Sequence, residues 1–324
     1  MGFYYSQLFV TPQLPSTSFE GQTVIVTGSN VGLGFEAARH FVRLDASKVI
    51  LAVRNLEAGT AAKHSIESST NRPRTCEVWP LDLSSFASVK SFAERATKTL
   101  PRLDILVENA AIANPDTFAL AEGHERHITV NVLSTILLAL LLLPKLRATK
   151  HQFVDANPHL TLVTSEMHAT SSFPERNAPS ILSALNDPEK TNMKERYATS
   201  KLLEILLVRE LAPKMAEMGV VLNMTNPGLC HSQLARDYGW AFWMYKLVFA
   251  RSAEVGSRTL VSAAAAGRES HGRYLTDGVV WEGGLGAFVK SEEGEEVQGR
   301  VWGEVKGVLE RVVEGCCGVV GREI

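Results

Sequence analysis

Cysteine is scarce in this chain. Of 324 residues four are cysteines, Cys76, Cys230, Cys316 and Cys317, and two of these are adjacent. They offer neither a disulfide framework nor a metal-ligand spacing. No metal is expected, and a reducing, cytoplasmic compartment is the simple reading. Excess charge of one sign is also lacking. Lys and Arg total 33 against 35 Asp and Glu, a net charge of −2 at pH 7, without the basic footprint of a nucleic-acid binder. Long apolar runs are missing too. The longest, Ile136 to Pro144 within Val132–Leu146, is shorter than the ~20 residues that span a bilayer, so a membrane partner is not expected. No basic region followed by an apolar core marks a secretory signal. Met1-Gly2-Phe3-Tyr4-Tyr5-Ser6 formally fits an N-myristoylation pattern. The plainer reading of residues 1–20, broken by Pro12 and Pro15, is an arm that packs on the domain.

What is present is an alternation. Short β-branched or apolar runs at Thr23–Thr27, Lys48–Val53, Cys76–Leu81, Asp104–Glu108, Leu160–Thr164, Val220–Thr225 and Arg273–Thr276 read as strands. Helical patterns separate them: 35–44, 57–68, 85–100, 123–146, 195–218 and 254–266. No repeat or linker divides residues 21–324. The pattern predicts a single α/β domain of Rossmann type, a doubly wound and mostly parallel seven-stranded sheet with helices on both faces. Residues 169–194 and 233–250 read as insertions forming a substrate lid. Glu296–Glu310 reads as an amphipathic helix closing the domain.

Two stretches carry chemistry. Tyr197 and Lys201 lie four apart on a helical pattern, so phenol and ammonium share a face. A nearby positive charge lowers a phenol pKa from about 10, and such a pair can exchange a proton with an alcohol oxygen. At the exit of the first strand stand Gly28, Asn30, Gly32, Leu33 and Gly34. Glycines between a strand and a helix let backbone N–H groups reach a phosphate at the helix N-terminus. Twenty residues on, Arg54 occupies the place where an acid would hold the ribose of NAD; a guanidinium suits a 2′-phosphate, so NADP(H) is the expected cofactor. Asp82, followed by Leu83, ends the third strand, placed either for an adenine amine or as a helix cap.

Thr27-Gly28-xxx-Gly32-x-Gly34, Asn109-Ala110-Ala111, Asn131, Ser165, Tyr197-xxx-Lys201 and Pro227-Gly228 together resemble the short-chain dehydrogenase/reductase family, in family order over residues 23 to about 232. Ala52-Val53-Arg54-Asn55 and Ser165-xx-His168 resemble its retinol-dehydrogenase-like and WW-domain-oxidoreductase-like branch. The opening residues and 28–39 look like fungal reductases of secondary metabolism. The resemblance implies a catalytic set of Asn131, Ser165, Tyr197 and Lys201. In it Ser165 polarises a carbonyl, Tyr197 exchanges the proton, Lys201 lowers the tyrosine pKa and holds the nicotinamide ribose, and Asn131 holds a relay water. A structural Asn bonded to backbone is the alternative for Asn131. Asn109, Ala110, Pro227, Gly228 and Ser232 are expected on the cofactor. Two positions depart from the family: Glu108 replaces Asn, and Ala111 replaces Gly.

His168 is a candidate substrate contact, with a surface-turn histidine as the alternative. Tyr238, Trp240 and Trp243 lie in the densest aromatic stretch and are candidates for an apolar lid; a subunit interface or a membrane contact would use the same residues. The expected activity is hydride transfer between NADP(H) and a carbonyl or secondary alcohol of a hydrophobic small molecule. The alternatives are a non-catalytic NADP sensor or scaffold, an isomerase or dehydratase with tightly held cofactor, and retinoid- or steroid-type chemistry at membranes. A homodimer or homotetramer would be built on the helices of 132–146 and Lys201, whose apolar faces could equally cover the sheet.

Overall fold

The computed structural model describes residues 2–232, 234 and 240–320, the side chains of 240–243 excepted. The Rossmann-type expectation holds. Strands β1 (Thr23–Thr27), β2 (Lys48–Val53), β3 (Cys76–Pro80) and β4 (Ile105–Glu108) form one half of the main sheet; β7 (His159–Val163), β8 (Val221–Asn226) and β9 (Tyr274–Thr276) continue it. The order is β3-β2-β1-β4-β7-β8-β9, parallel throughout, with Val26 opposite Leu51 on one side and Val107 on the other. An eighth strand, β10 (Val279–Val280), pairs antiparallel with β9. Two residues leave no periodicity to read, which is why the sequence yields only seven strands.

Burial follows the two-residue period of a pleated strand. Ile25, Ile50 and Leu106 point into one apolar layer with α4 (Phe86–Thr99), α5 (Thr135–Gln152), α7 (Met193–Met215) and α10 (Glu292–Val312). Val24, Val26, Leu51 and Val107 point into the other with α2 (Gly32–Arg43), α3 (Leu56–Thr70) and α9 (Ala253–Ala264). Both faces are therefore covered, as a parallel sheet requires. α5 and α7 bury apolar residues in the first of these layers.

Four local features add to or depart from the expectation. Residues 1–20 begin with a helix, α1 (Phe3–Phe9), held by bonds to distant residues described below. Residues 123–125 are not helical; β5 (Leu120–Ala121) and β6 (His124–Glu125) make a small hairpin, with Glu122 and Gly123 at φ 52° and 78°. The helical segment Ile128–Gln152, which opens with a π-turn at Ile128–Ser134, is 25 residues long and apolar enough to cross a membrane, but 83% of its apolar window is buried inside the protein. It is the central core helix. Residues 169–194 pack on α10 through α6 (Ile181–Leu185): the Glu304 carboxylate accepts from the Ile181 and Leu182 amides at 2.7 and 2.9 Å. Of that insertion only Thr170 reaches the cavity described next.

Candidate active site

The strand order reverses between β1 and β4, and a cavity of about 930 Å³ opens there at the C-terminal ends of the strands. One end is the glycine turn. Gly28 sits at φ +65° and Gly32 at +61°, conformations that favour glycine. A Cβ on Gly34 would lie 2.5 Å from Asn109 Nδ2 and 2.7 Å from the Gly28 carbonyl oxygen. The turn is thus pressed against Asn109. Thr27 Oγ1 accepts from the Asn109 and Ala110 amides at 2.9 Å each, and Asn109 Nδ2 donates to the Thr27 carbonyl at 2.8 Å. Asn109 and Ala110 line the cavity, and Asn109 also clamps β4 to β1. Ala111 is absent from the residues with positive φ, so replacing glycine there costs no backbone strain.

The N-cap of α2 is Val31, whose side chain offers no acceptor, so the first-turn amides are left for a ligand. Asn30, Leu33, Arg54, Asp82 and Leu83 line the same end, and Pro227, Gly228 and Ser232 lie further along it. Asp82 is not the cap of α4: Ser85 accepts from the Ser88 amide there, while Asp82 Oδ1 takes the Ser84 N–H and O–H at 2.9 and 2.7 Å.

At the other end the cavity is lined by Ser165, Tyr197 and Lys201. Ser165 ends the β7 connection in extended conformation, its Oγ accepting from the Met167 amide at 3.2 Å. Lys201 Nζ lies 5.8 Å from the centre of the Tyr197 ring, as the helical spacing requires. Its ammonium donates to the Val163 carbonyl at 2.9 Å and to the two oxygens of the Glu204 carboxylate at 2.8 and 3.1 Å. Burial first, and the Glu204 carboxylate second, push the Tyr197 phenol well above its usual range; the Ser165 hydrogen bond pulls only partly the other way. Glu108 is buried as well, and its carboxyl is pushed well above the carboxylate range by desolvation. The sequence marks Glu108 only as a departure and passes over Glu204, because a Lys and a Glu three apart on a helix ordinarily form a solvated pair.

Asn131 is fully buried: Oδ1 accepts from the Ile112 amide at 2.9 Å, while Nδ2 donates to the Ile112 carbonyl at 3.0 Å and to Ser200 Oγ at 2.9 Å. The side chain therefore holds Ile112, on the cavity wall, and Ser200, next to Lys201.

His168 matches neither reading made for it. It is buried, off the cavity, with Nδ1 on the Ser165 carbonyl at 2.7 Å and Nε2 accepting from the Gly286 amide at 2.9 Å. The Gly286 N–H fixes the tautomer with the proton on Nδ1, and burial lowers the imidazole pKa, keeping it neutral. His168 braces Ser165 against the C-terminal segment. Tyr238 lies outside the described residues. Trp240 and Trp243 open α8 (Trp240–Phe249), their side chains undescribed; from the same helix Tyr245 and Lys246 line the cavity.

The N-terminal helix also reaches the site. Phe3 lines the cavity and stacks on Tyr245, ring centres 6.4 Å apart. Gln7 is buried; it donates to the Leu229 and Phe249 carbonyls at 2.9 and 2.8 Å and accepts from the Leu229 amide at 3.2 Å. Arg251, ion-paired with Asp277 at 2.6 Å, donates to the Ser6 carbonyl at 2.6 Å. No motif announces these bonds, since their partners are more than 220 residues away in sequence.

Comparison with known proteins agrees with this geometry. A family model described as short chain dehydrogenase matches residues 22–153. The fungal protein short chain dehydrogenase/reductase dmxR8 of Cryptosporiopsis sp. is 46% identical over 323 residues, 97% of this chain and 98% of its own. Short chain dehydrogenase atnD of Emericella nidulans is 47% identical over 283 residues, 85% of this chain and 90% of its own. Among solved structures, the Pseudomonas aeruginosa RhlG/NADP active-site complex superposes with a TM-score of 0.62 at 23% identity, covering 81% of this chain and 96% of that one. A metagenomic short-chain oxidoreductase in complex with NADP gives 0.58 at 20% identity over 80% and 97%. Carried by the two fungal relatives over most of its length, the chain belongs to the short-chain dehydrogenase/reductase family.

Proposed function

We propose that the protein is an NADP(H)-dependent oxidoreductase that reduces a carbonyl, or oxidises the matching secondary alcohol, on a hydrophobic small molecule such as a polyketide or terpenoid. The observation that carries this reading is the cavity itself, which runs from a glycine cradle and Arg54 at one end to Ser165 and Tyr197 at the other. The cradle fits a dinucleotide, because a Cβ at Gly34 would fill it and because the first amides of α2 lack a side-chain cap. Arg54 is exposed at the end of β2 and makes no ion pair among the described residues, leaving its guanidinium for a 2′-phosphate. The cofactor, when bound, supplies the hydride. Ser165 donates to the substrate oxygen, and Tyr197 delivers the proton. Phe3, Leu234 and Tyr245 on the wall suit an apolar substrate. The names and organisms of the fungal relatives are in keeping with a small-molecule reductase.

The test is NADPH oxidation against a panel of ketones and aldehydes, with NADH in parallel. Turnover with NADPH preferred is the expected result. Tyr197→Phe should lose turnover by a factor of about 10² or more while binding NADPH as the parent does. Equal use of NADH would sink the cofactor assignment, and full activity in Tyr197→Phe would sink the proton route.

A further inference from the structure

Among the described residues the cavity wall carries two carboxyl groups, Asp82 and Glu166. Asp82 stands at the cofactor end and is occupied by the Ser84 N–H and O–H. Glu166 stands at the reacting end, one residue after Ser165, and opens the short 3-10 turn Glu166–Thr170. Its backbone is fixed: the Glu166 amide donates to Asn226 Oδ1 at 3.3 Å, and the same oxygen accepts from the Gly228 amide at 3.1 Å. Its carboxyl has no hydrogen bond or ion pair among the described residues. The cation that acts on it, Arg251, is committed elsewhere, to Asp277 at 2.6 Å and to the Ser6 carbonyl and hydroxyl at 2.6 and 2.9 Å. Glu166 is half-buried, and desolvation raises its carboxyl to about 7. A carboxyl withdrawn from water with no partner in the protein is costly, so a water or a ligand meets it. Its charge reaches both Tyr197 and Tyr245, the wall ring stacked on Phe3.

Resting on the reductase reading, we propose that Glu166 is a specificity-determining residue that holds a hydroxyl group of the substrate, carried on the same skeleton as the reacting carbonyl. The surroundings select this donor. Phe3, Leu234 and Tyr245 make the adjoining wall largely apolar, so a single polar contact there sets the orientation of the bound molecule. The Arg251 guanidinium repels an ammonium and leaves a neutral hydroxyl unaffected. A carboxylate accepts from an O–H and a protonated carboxyl can also donate to its oxygen, so either form of Glu166 meets a hydroxyl. Ser165 and Tyr197 hold the carbonyl oxygen, and Glu166 holds a second point. Two fixed points on a polyoxygenated molecule choose which of its carbonyls is reduced. No proton or electron moves at Glu166 in this role.

The probes are unsubstituted tetralone and the isomeric hydroxytetralones. Their binding to the protein–NADP⁺ complex is measured by titration calorimetry, and NADPH-dependent reduction of the same ketones is run alongside. At least one hydroxy isomer should bind tenfold or more tighter than tetralone to the parent. Glu166→Leu should abolish that preference. Glu166→Gln, of the same size and still a hydrogen-bonding group, should keep only part of it and stands in if Glu166→Leu does not fold. NADPH affinity, measured by fluorescence, shows that each variant compared is folded and loaded. A parent that prefers no hydroxy isomer, or a preference that survives in both variants, overturns the proposal and leaves water as the partner of the carboxyl. If that result comes with turnover of the ketones, the reductase reading stands without it. A preference lost in the variants, with no ketone turned over by the parent, overturns the reductase reading and leaves the role of Glu166 in binding. Neither binding nor turnover overturns both.

Discussion

Gly34→Ala sets two effects against each other, and the structure decides between them. Gly34 lies inside α2, where alanine is the better helix former by about 1 kcal/mol. On propensity alone the variant would be more stable. The added Cβ, however, would stand 2.5 Å from Asn109 Nδ2 and 2.7 Å from the Gly28 carbonyl oxygen. The second neighbour is backbone, anchored at the end of β1 by Gly28 N donating to the Ala52 carbonyl at 2.8 Å. The first is a side chain whose 2.8 Å bond to the Thr27 carbonyl would have to lengthen. Overpacking of this kind costs about 1–3 kcal/mol, and a weakened hydrogen bond adds about 1 kcal/mol. After the propensity gain, a net loss of about 1–3 kcal/mol remains. For a chain of this size that lowers Tm by roughly 1.5–4.5 °C. Because the displaced atoms are the floor and the helix entry of the cradle, NADPH affinity should fall by tenfold or more, measured by fluorescence titration on folded protein. A Gly34→Ala protein with an unchanged or higher Tm and unchanged NADPH affinity would refute the argument that the turn is packed against Asn109.

Three further perturbations follow from other parts of the site. Arg54→Asp should cost about 2 kcal/mol of charge-assisted contact with a 2′-phosphate, so kcat/KM for NADPH should drop 10- to 100-fold while NADH gains; steady-state comparison of the two cofactors reads this. Gln7→Ala removes the three hydrogen bonds that seat α1 on the Leu229 and Phe249 backbone, so KM should rise several-fold with little change in kcat, and proteolysis near residues 10–15 should become faster. Glu166, on the cavity wall, has its carboxyl raised to about 7 from 4.5, chiefly by desolvation. Its folded value lies above the unfolded one, so its stabilising contribution is complete below about 4.5 and is lost as pH rises through about 7. Glu166→Gln should therefore flatten the fall in Tm between about pH 5 and 8, recovering on the order of 1–3 kcal/mol at the alkaline end.

Much of the fold was legible because the sheet is parallel. A strand buried on both faces must be almost wholly apolar, so Val24–Val26 and Val49–Val53 stand out as β-branched runs without any alternation to decode. The glycine turn was legible for the same kind of reason, since only glycine satisfies the positive φ at Gly28 and Gly32 and the close approach at Gly34. What escaped was structure whose cause lies elsewhere in the chain. α1 has no side-chain cap and only seven residues, too few to hold a helix alone; it exists because Leu229, Phe249 and Arg251 bind its polar groups. His168 looks like a loop histidine until Gly286, 118 residues on, is found donating to it.

The Tyr197–Lys201 pair shows the same limit on the chemistry itself. Helical spacing places phenol and ammonium on one face, and that part of the inference survives. Spacing does not fix charge, because a pKa is set by every charge and every desolvated atom nearby, whichever strand brings it. Here burial and the Glu204 carboxylate, three residues beyond the lysine, push the phenol up, while the Ser165 hydrogen bond pulls it down. The spacing of the motif shows which two groups meet; the charge they share is set together with Ser165, Glu204 and whatever ligand fills the cavity.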